Sequence, residues 1–172
     1  PELVRAGVDS FKIEGRNKTA YYTACVTGAY RAAIDAYAAN PAGFVLPQFC
    51  REEVNKVSHR EYYTGFYFGS EENGQHYGDS QYIREYEVVG MPVDCGEDGH
   101  AVFTLKNRIF KGEELELVQP GQSPYCFHAD GVVNDEGEAL DLFNVPQMRV
   151  HFSFPFAVDE YAILRKKKER PS

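Results

Sequence analysis

The sequence predicts an α+β protein in two unlike parts: one strand and one helix of an α/β-barrel or open-sheet domain, then a small, nearly closed antiparallel β-barrel. Three observations lead there. A short alternating segment, Phe11-Lys12-Ile13-Glu14, ends at Gly15-Arg16 and precedes apolar residues at helical spacing over 17–39. From Tyr82 the period falls to two, with turn residues between short runs. The chain also holds 12 Tyr and 12 Phe but no Trp, a composition that favours strands and aromatic clusters.

Taken in order, Pro1 to Val8 reads as the end of a helix with a turn at Gly7. Alternation in the following strand puts Lys12 and Glu14 on one face and Phe11 and Ile13 on the other. A parallel strand needs neighbours on both edges and helices on its faces. The chain opens inside an element and without Met, so it reads as the C-terminal portion of a longer protein, with 1–39 closing an upstream domain.

In the helix over 17–39, Tyr22, Val26, Ala29, Tyr30, Ala33 and Tyr37 recur at helical spacing. Asn17 or Thr19 can cap it, and Asn40-Pro41-Ala42-Gly43 stops it. A connector over 40–81 holds a second short helix from Cys50 to about His59, an aromatic, glycine-punctuated run from Tyr62 to Gly69, and a polar loop over 70–81. Strands are expected at 82–93, 101–105, 113–118, 125–128, 131–133 and 147–154, which places the barrel at 82–156. Residues 157–172 read as a basic, solvated tail, with a short helix running from Asp159 into Arg165-Lys166-Lys167-Lys168.

The net charge of −8 counts against a surface that grips nucleic acid by phosphate neutralisation alone. No apolar run approaches the roughly 20 residues of a membrane span. No signal peptide is visible, and cytoplasmic location is the default. Cys25, Cys50, Cys95 and Cys126 are widely spaced, with no Cys-x-x-Cys pair, and read as reduced, mostly buried thiols. His59, His76, His100, His128 and His151 lack ligand spacing and read as surface or capping residues, so no metal site is expected within the segment.

The chemistry-bearing residues gather early. A Lys and a Glu inside a barrel are costly unless paired, so Lys12 and Glu14 imply an ion pair or a ligand. Gly15 allows close backbone approach, and Arg16 then projects at the mouth, suited to bidentate capture of a carboxylate or phosphate. Lys18, Tyr21 and Tyr22 open the next helix. Together they make an anion pocket or, equally on spacing, a structural ion pair that closes the barrel.

The stretch from Ala6 to Arg16, then Lys18, Tyr21-Tyr22 and Ala29-Tyr30-Arg31, resembles the end of the catalytic-type domain of peptidase family U32, a collagenase-like family. Thr64 to Gly69, Tyr82 to Tyr86 and Lys111 to Glu116 resemble that family's C-terminal domain. The resemblance implies that 1–39 supply the last strand and helix of a TIM-barrel-like domain, followed by an elongation-factor-like β-barrel. Members are described as peptidases, yet several are implicated in hydroxylating nucleobases of RNA or ubiquinone precursors, and carry an iron–sulfur cluster. Those with this C-terminal domain are similar to bacterial proteins that form 5-hydroxyuridine in tRNA, with prephenate as a required metabolite.

On that resemblance the parent is expected to be a tRNA-hydroxylating enzyme, its partners tRNA and a small anionic metabolite. Lys12, Glu14 and Arg16 become candidate catalytic residues at the barrel mouth, Arg16 holding an anionic group and Glu14 orienting Lys12. Arg16, Lys18, Tyr21 and Tyr22 become candidate substrate-binding residues. The cluster cysteines are expected upstream, not among the four present, so the segment holds no cofactor of its own and is inactive when isolated. The rival expectations are collagenase-like proteolysis and a non-catalytic barrel that binds RNA or a partner.

Overall fold

Helix α1, Glu2–Arg5, ends in a turn whose Gly7 adopts a φ of 83°, a conformation that glycine reaches without a Cβ clash. The computed structural model describes residues 1–60, 62, 64–67, 69 and 85–168 of the chain. After α1 the structure departs from the sequence-based expectation. Residues 8–15 run without any sheet pairing, and Phe11 and Ile13 stay exposed. A lone parallel strand has no ladder to join, and among the described residues every paired strand lies later and pairs antiparallel.

Helix α2, Ala20–Ala39, is capped by Thr19, whose Oγ1 accepts from the backbone N–H of Tyr22 at 3.2 Å. Asn40 ends it, its Oδ1 accepting from Gly43 N–H at 3.0 Å. Helix α3, Gln48–Lys56, starts two residues before the expected Cys50, directly after Pro47. Cys25 and Val26 of α2 pack with Val57 in a small core that Val54 and Val118 border. Helices this short depend on such apolar contact for most of their stability. The loop expected over 70–81 lies outside the described residues, as do Tyr82 to Arg84 of the strand expected at 82–93 and parts of the Tyr62 to Gly69 run.

The second part is a curled antiparallel sheet. Its strands are β1 Tyr86–Cys95, β2 His100–Leu105, β4 Glu114–Val118, β5 Tyr125–His128, β6 Val133–Asn134, β8 Arg149–Ser153 and β9 Ile163–Lys167, ordered β5-β4-β9-β1-β2-β8-β6. A separate ribbon pairs β3, Ile109–Phe110, with β7, Leu142–Phe143. No ladder joins the edge strands β5 and β6. Aromatic rings bridge the gap instead: Phe127 of β5 meets Phe152 of β8 edge-to-face at 5.9 Å and Phe154 at 5.1 Å. Val89, Phe103, Leu115, Leu117, Val150 and Leu164 fill the interior.

Gly99 sits at the tight β1–β2 turn with a φ of 86°, where a Cβ would lie 2.1 Å from the carbonyl oxygen of Phe154. Only glycine fits there.

Among the described residues, which end at Lys168, the expected helix and solvated tail after Asp159 are not found; residues 169–172 lie outside them. Ile163–Lys167 is β9, in the middle of the sheet between β4 and β1, with Ile163, Leu164, Arg165 and Lys166 all buried. The polar run misleads because it lacks clean alternation. Its two buried cations are matched by carboxylates that the sequence carries 49 residues or more away.

Candidate functional site

Two features of the interface between helices and barrel define the candidate site. The first is a buried charge cluster. Arg165 extends from the outer face of β9 with its side chain 0% exposed. Its Nη2 donates to Glu53 Oε1 of α3 at 2.7 Å, its Nε to Glu116 Oε2 of β4 at 2.8 Å, and its Nη1 to the Tyr21 hydroxyl of α2 at 3.0 Å. Lys56 closes the cluster with contacts of 3.3 Å to Glu53 and 3.1 Å to Glu116. The Tyr86 ring lies under the guanidinium at 4.9 Å.

Burial alone would strip these groups of charge, and their mutual pairing prevents it. For Arg165, burial lowers the pKa, but its hydrogen bonds to Glu53 and the field of Glu53 and Glu116 outweigh burial and raise it. Burial likewise pushes Glu116 up, and Arg165 and Lys56 together bring it below the ordinary carboxylate value. The Tyr21 and Tyr86 phenols are pushed up, in each case mainly by burial, and stay neutral hydrogen-bonding groups.

The second feature is a cleft of about 470 Å³ that this cluster shapes, between the start of α2 and the outer face of β1. Lys18, Tyr21, Tyr22, Ser58, Tyr86 and Lys168 line it, with Glu87 at one edge. Lys18 Nζ donates to the Ser58 carbonyl at 3.3 Å and lies 5.2 Å from the centre of the Tyr22 ring. The Thr19 cap starts α2 at this rim, so the cap that terminates the preceding loop also aims Lys18 and Tyr22. Two ammonium groups, neutral phenols and aromatic faces suit a ligand that is both anionic and flat.

Of the residues singled out in the sequence, Lys18, Tyr21 and Tyr22 do come together here, joined by Tyr86 and Lys168 from the barrel. Lys12, Glu14 and Arg16 lie in the preceding loop and do not line the cleft. Lys12 Nζ is 3.9 Å from Glu14 Oε2, with side chains 87% and 66% exposed. The other Glu14 oxygen accepts from the backbone N–H of Arg16 at 2.9 Å, so it also shapes the turn into α2. His59, expected at the surface, is buried; its Nδ1 is 2.8 Å from the Val57 carbonyl, and its ring stacks on Tyr62 at 4.5 Å.

Sequence reasoning missed Glu53, Lys56, Tyr86, Glu116, Arg165 and Lys168 as parts of one interface. One signal was present: the apolar run Ala162-Ile163-Leu164 directly before Arg165 has the make-up of a buried strand.

The four thiols do not fit an iron–sulfur ligand set. Cys25 and Cys50 are buried and Cys126 is exposed, and all four are free. Burial pushes the Cys25 thiol up to about 11 and raises the other three, against the thiolate that a metal needs. Among the described residues no group of three or more His, Cys, Asp or Glu is placed to hold a metal ion. No helix among them is long and apolar enough to cross a membrane.

Two family models match consecutive pieces of the chain, one over the helical segment and one over the curled antiparallel sheet. Residues 1–77 match peptidase family U32, and residues 84–165 match the peptidase family U32 C-terminal domain. The chain belongs to peptidase family U32. It is similar to tRNA hydroxylation protein P1 of Bacillus subtilis, 34% identical over 173 residues, covering 98% of this chain and 40% of that protein. It is also similar to tRNA hydroxylation protein P of Haemophilus influenzae, 31% identical over 158 residues, covering 85% of this chain and 34% of that protein. A crystal structure of the C-terminal domain of a Geobacillus thermoleovorans U32-family protein aligns over 46% of this chain and 99% of that domain, at 23% identity and a TM-score of 0.42. The chain spans well under half the length of the curated relatives it matches.

Proposed function

We propose that this chain is the C-terminal part of a tRNA-hydroxylating protein, and that the cleft between α2 and the barrel receives an anionic, ring-bearing group of its substrates. The observation that supports this reading is the convergence of Lys18, just before the Thr19 cap, and Tyr22 of α2 with Tyr86 of β1 and Lys168, directly after β9, around one cavity. The names of the two relatives point to tRNA as the substrate. In this reading Lys18 and Lys168 hold a phosphate or carboxylate, while Tyr22 and Tyr86 present faces to a base or to a small unsaturated acid such as prephenate. Lys12, Glu14 and Arg16 are proposed to act from the loop that leads into α2, where Arg16 takes up the anionic group and Glu14 orients Lys12. Their further walls would come from parts of the longer relatives that this chain does not span.

The peptidase reading, carried by the family's description, gains no activated thiol from the described residues, since all four are raised above the ordinary thiol value, in each case mainly by burial. Nucleoside analysis of tRNA from cells lacking the gene tests the proposal. Loss of 5-hydroxyuridine, restored by the intact gene and not by Lys18→Ala or Arg16→Ala, is the expected outcome. Undiminished 5-hydroxyuridine in the deletion strain, or release of peptides from gelatin by the purified full-length protein, would overturn it.

A further inference from the structure

A second cavity, of about 260 Å³, opens beyond β9 at the end of the barrel and shares Glu87 and Lys168 with the cleft described above. Its floor is an internal ion cluster. Lys166 follows Leu164 on the inner face of β9 and sits opposite Glu87 in the β1–β9 ladder. Its Nζ donates to Glu113 Oε1 at 2.8 Å and to the Arg108 carbonyl at 2.8 Å, and lies 3.8 Å from Glu87. The other Glu113 oxygen accepts from Phe110 N–H at 3.0 Å. The two carboxylates of the cavity are therefore engaged with Lys166 and with the backbone of β3, and they hold that backbone in place.

What remains at the rim is cationic and aromatic. Arg108, Lys167 and Lys168 are exposed, and among the described residues no carboxylate pairs with any of them. The Arg108 guanidinium lies over the half-exposed Phe110 ring, 5.3 Å from its centre, and both line the cavity. On a chain of net charge −8, this local excess of positive charge stands apart. The two cavities share Lys168 and Glu87, so Lys18, Tyr22 and Tyr86 border that pair in one cavity and Lys167, Arg108 and Phe110 border it in the other. A positive groove interleaved with aromatic faces is the pattern that holds a single-stranded nucleic acid backbone without reading its sequence.

We infer that the open end of the barrel is an RNA-backbone site, in which Arg108, Lys167 and Lys168 contact phosphates and Phe110 carries a base, so that the strand is led into the cleft at α2. This deepens the tRNA reading and rests on it for the choice of RNA over other polyanions. The barrel is then a guide for substrate, and chemistry lies elsewhere.

The test is binding of a labelled, unmodified tRNA transcript to the full-length protein by fluorescence anisotropy across a potassium chloride series. Each lost phosphate contact on a single strand reduces the slope of log K against log salt by about 0.7, so Arg108→Ala with Lys167→Ala should reduce it by about 1.4. Phe110→Ala should weaken binding several-fold with the slope unchanged, because stacking releases no counterions. Arg51→Ala with Arg149→Ala, which removes the same charge away from the groove, should leave the slope as it was. An unaltered slope in the groove variant, or an equal loss in the control pair, overturns the inference. So does displacement of tRNA by millimolar inorganic phosphate at fixed ionic strength, which would assign the cations to a small anion. The readout is independent of hydroxylation: failure of the tRNA-hydroxylation reading appears as undiminished 5-hydroxyuridine in the deletion strain, and failure of the groove appears only in these slopes.

Discussion

The guanidinium of Arg165 meets the carboxylate of Glu53 in a bidentate pair, Nη2 to Oε1 at 2.7 Å and Nη1 to Oε2 at 2.5 Å, across 112 residues of sequence. This pair, with Glu116 and Tyr21, fastens the helical segment to the barrel and so sets the width of the cleft between them.

Removing one member of a buried ion pair leaves the others charged and unmatched, which costs about 3–5 kcal/mol. Arg165→Leu should therefore lower the melting temperature by roughly 10 °C, at about 2–4 °C per kcal/mol for a chain of this size. Tyr21→Phe, which removes one hydrogen bond, should cost about 1 kcal/mol. Replacing Arg165, Glu53, Glu116 and Lys56 together by apolar residues should recover much of the loss, since no charge is then left unmatched, and calorimetry on the three variants checks the ranking.

The same cluster should shape the pH dependence of stability. The Glu116 carboxyl titrates below its unfolded value of about 4.3, so its contribution is complete above that pH and disappears as pH falls through the lower folded value. Burial and the Arg165 charge lower the Lys56 pKa, but Glu53 and Glu116 outweigh them and raise it. Its contribution is complete below about 10.4 and disappears as pH rises through the higher folded value. Urea unfolding should show a plateau between these limits with losses on both sides, and Glu116→Gln should flatten the acid side.

Gly99→Ala should be among the most damaging single-methyl changes in the barrel. The added carbon would stand 2.1 Å from Phe154 O, a backbone atom that cannot step aside, and at a φ that L-residues avoid. A loss of about 2 kcal/mol or more is expected in chemical denaturation, well above the roughly 1 kcal/mol of a typical substitution.

Thiol labelling should follow burial. Cys126 should react first in the native protein, and slowly at neutral pH because its thiol is pushed up. Cys25, buried and raised to about 11, should be modified only as the helices leave the barrel. Arg165→Leu should advance Cys25 labelling relative to Cys126.

On the function proposed above, Lys18→Ala in the cleft should weaken binding of the anionic group by about tenfold or more, the scale of one hydrogen bond to a charged group. Titration calorimetry with tRNA, read beside an unchanged melting temperature, checks it.

The local rules of the chain are plain in its residues. Thr19 and Asn40 bound α2, strands alternate around turns such as Glu97-Asp98-Gly99, and Lys18, Tyr21 and Tyr22 stand within one turn of each other at a helix start. Residue spacing could reveal these because each depends on neighbours a few positions away. The fate of Arg165 and Lys166 could not be read this way: a cation in a strand is buried only if carboxylates arrive from α3, β1, β4 and its approach, and only folding brings them. Packing likewise decided that Phe11 to Glu14 joins no ladder here, and that Tyr86 and Lys168 complete a cleft begun by the helix, because pairing and enclosure belong to partners distant along the chain.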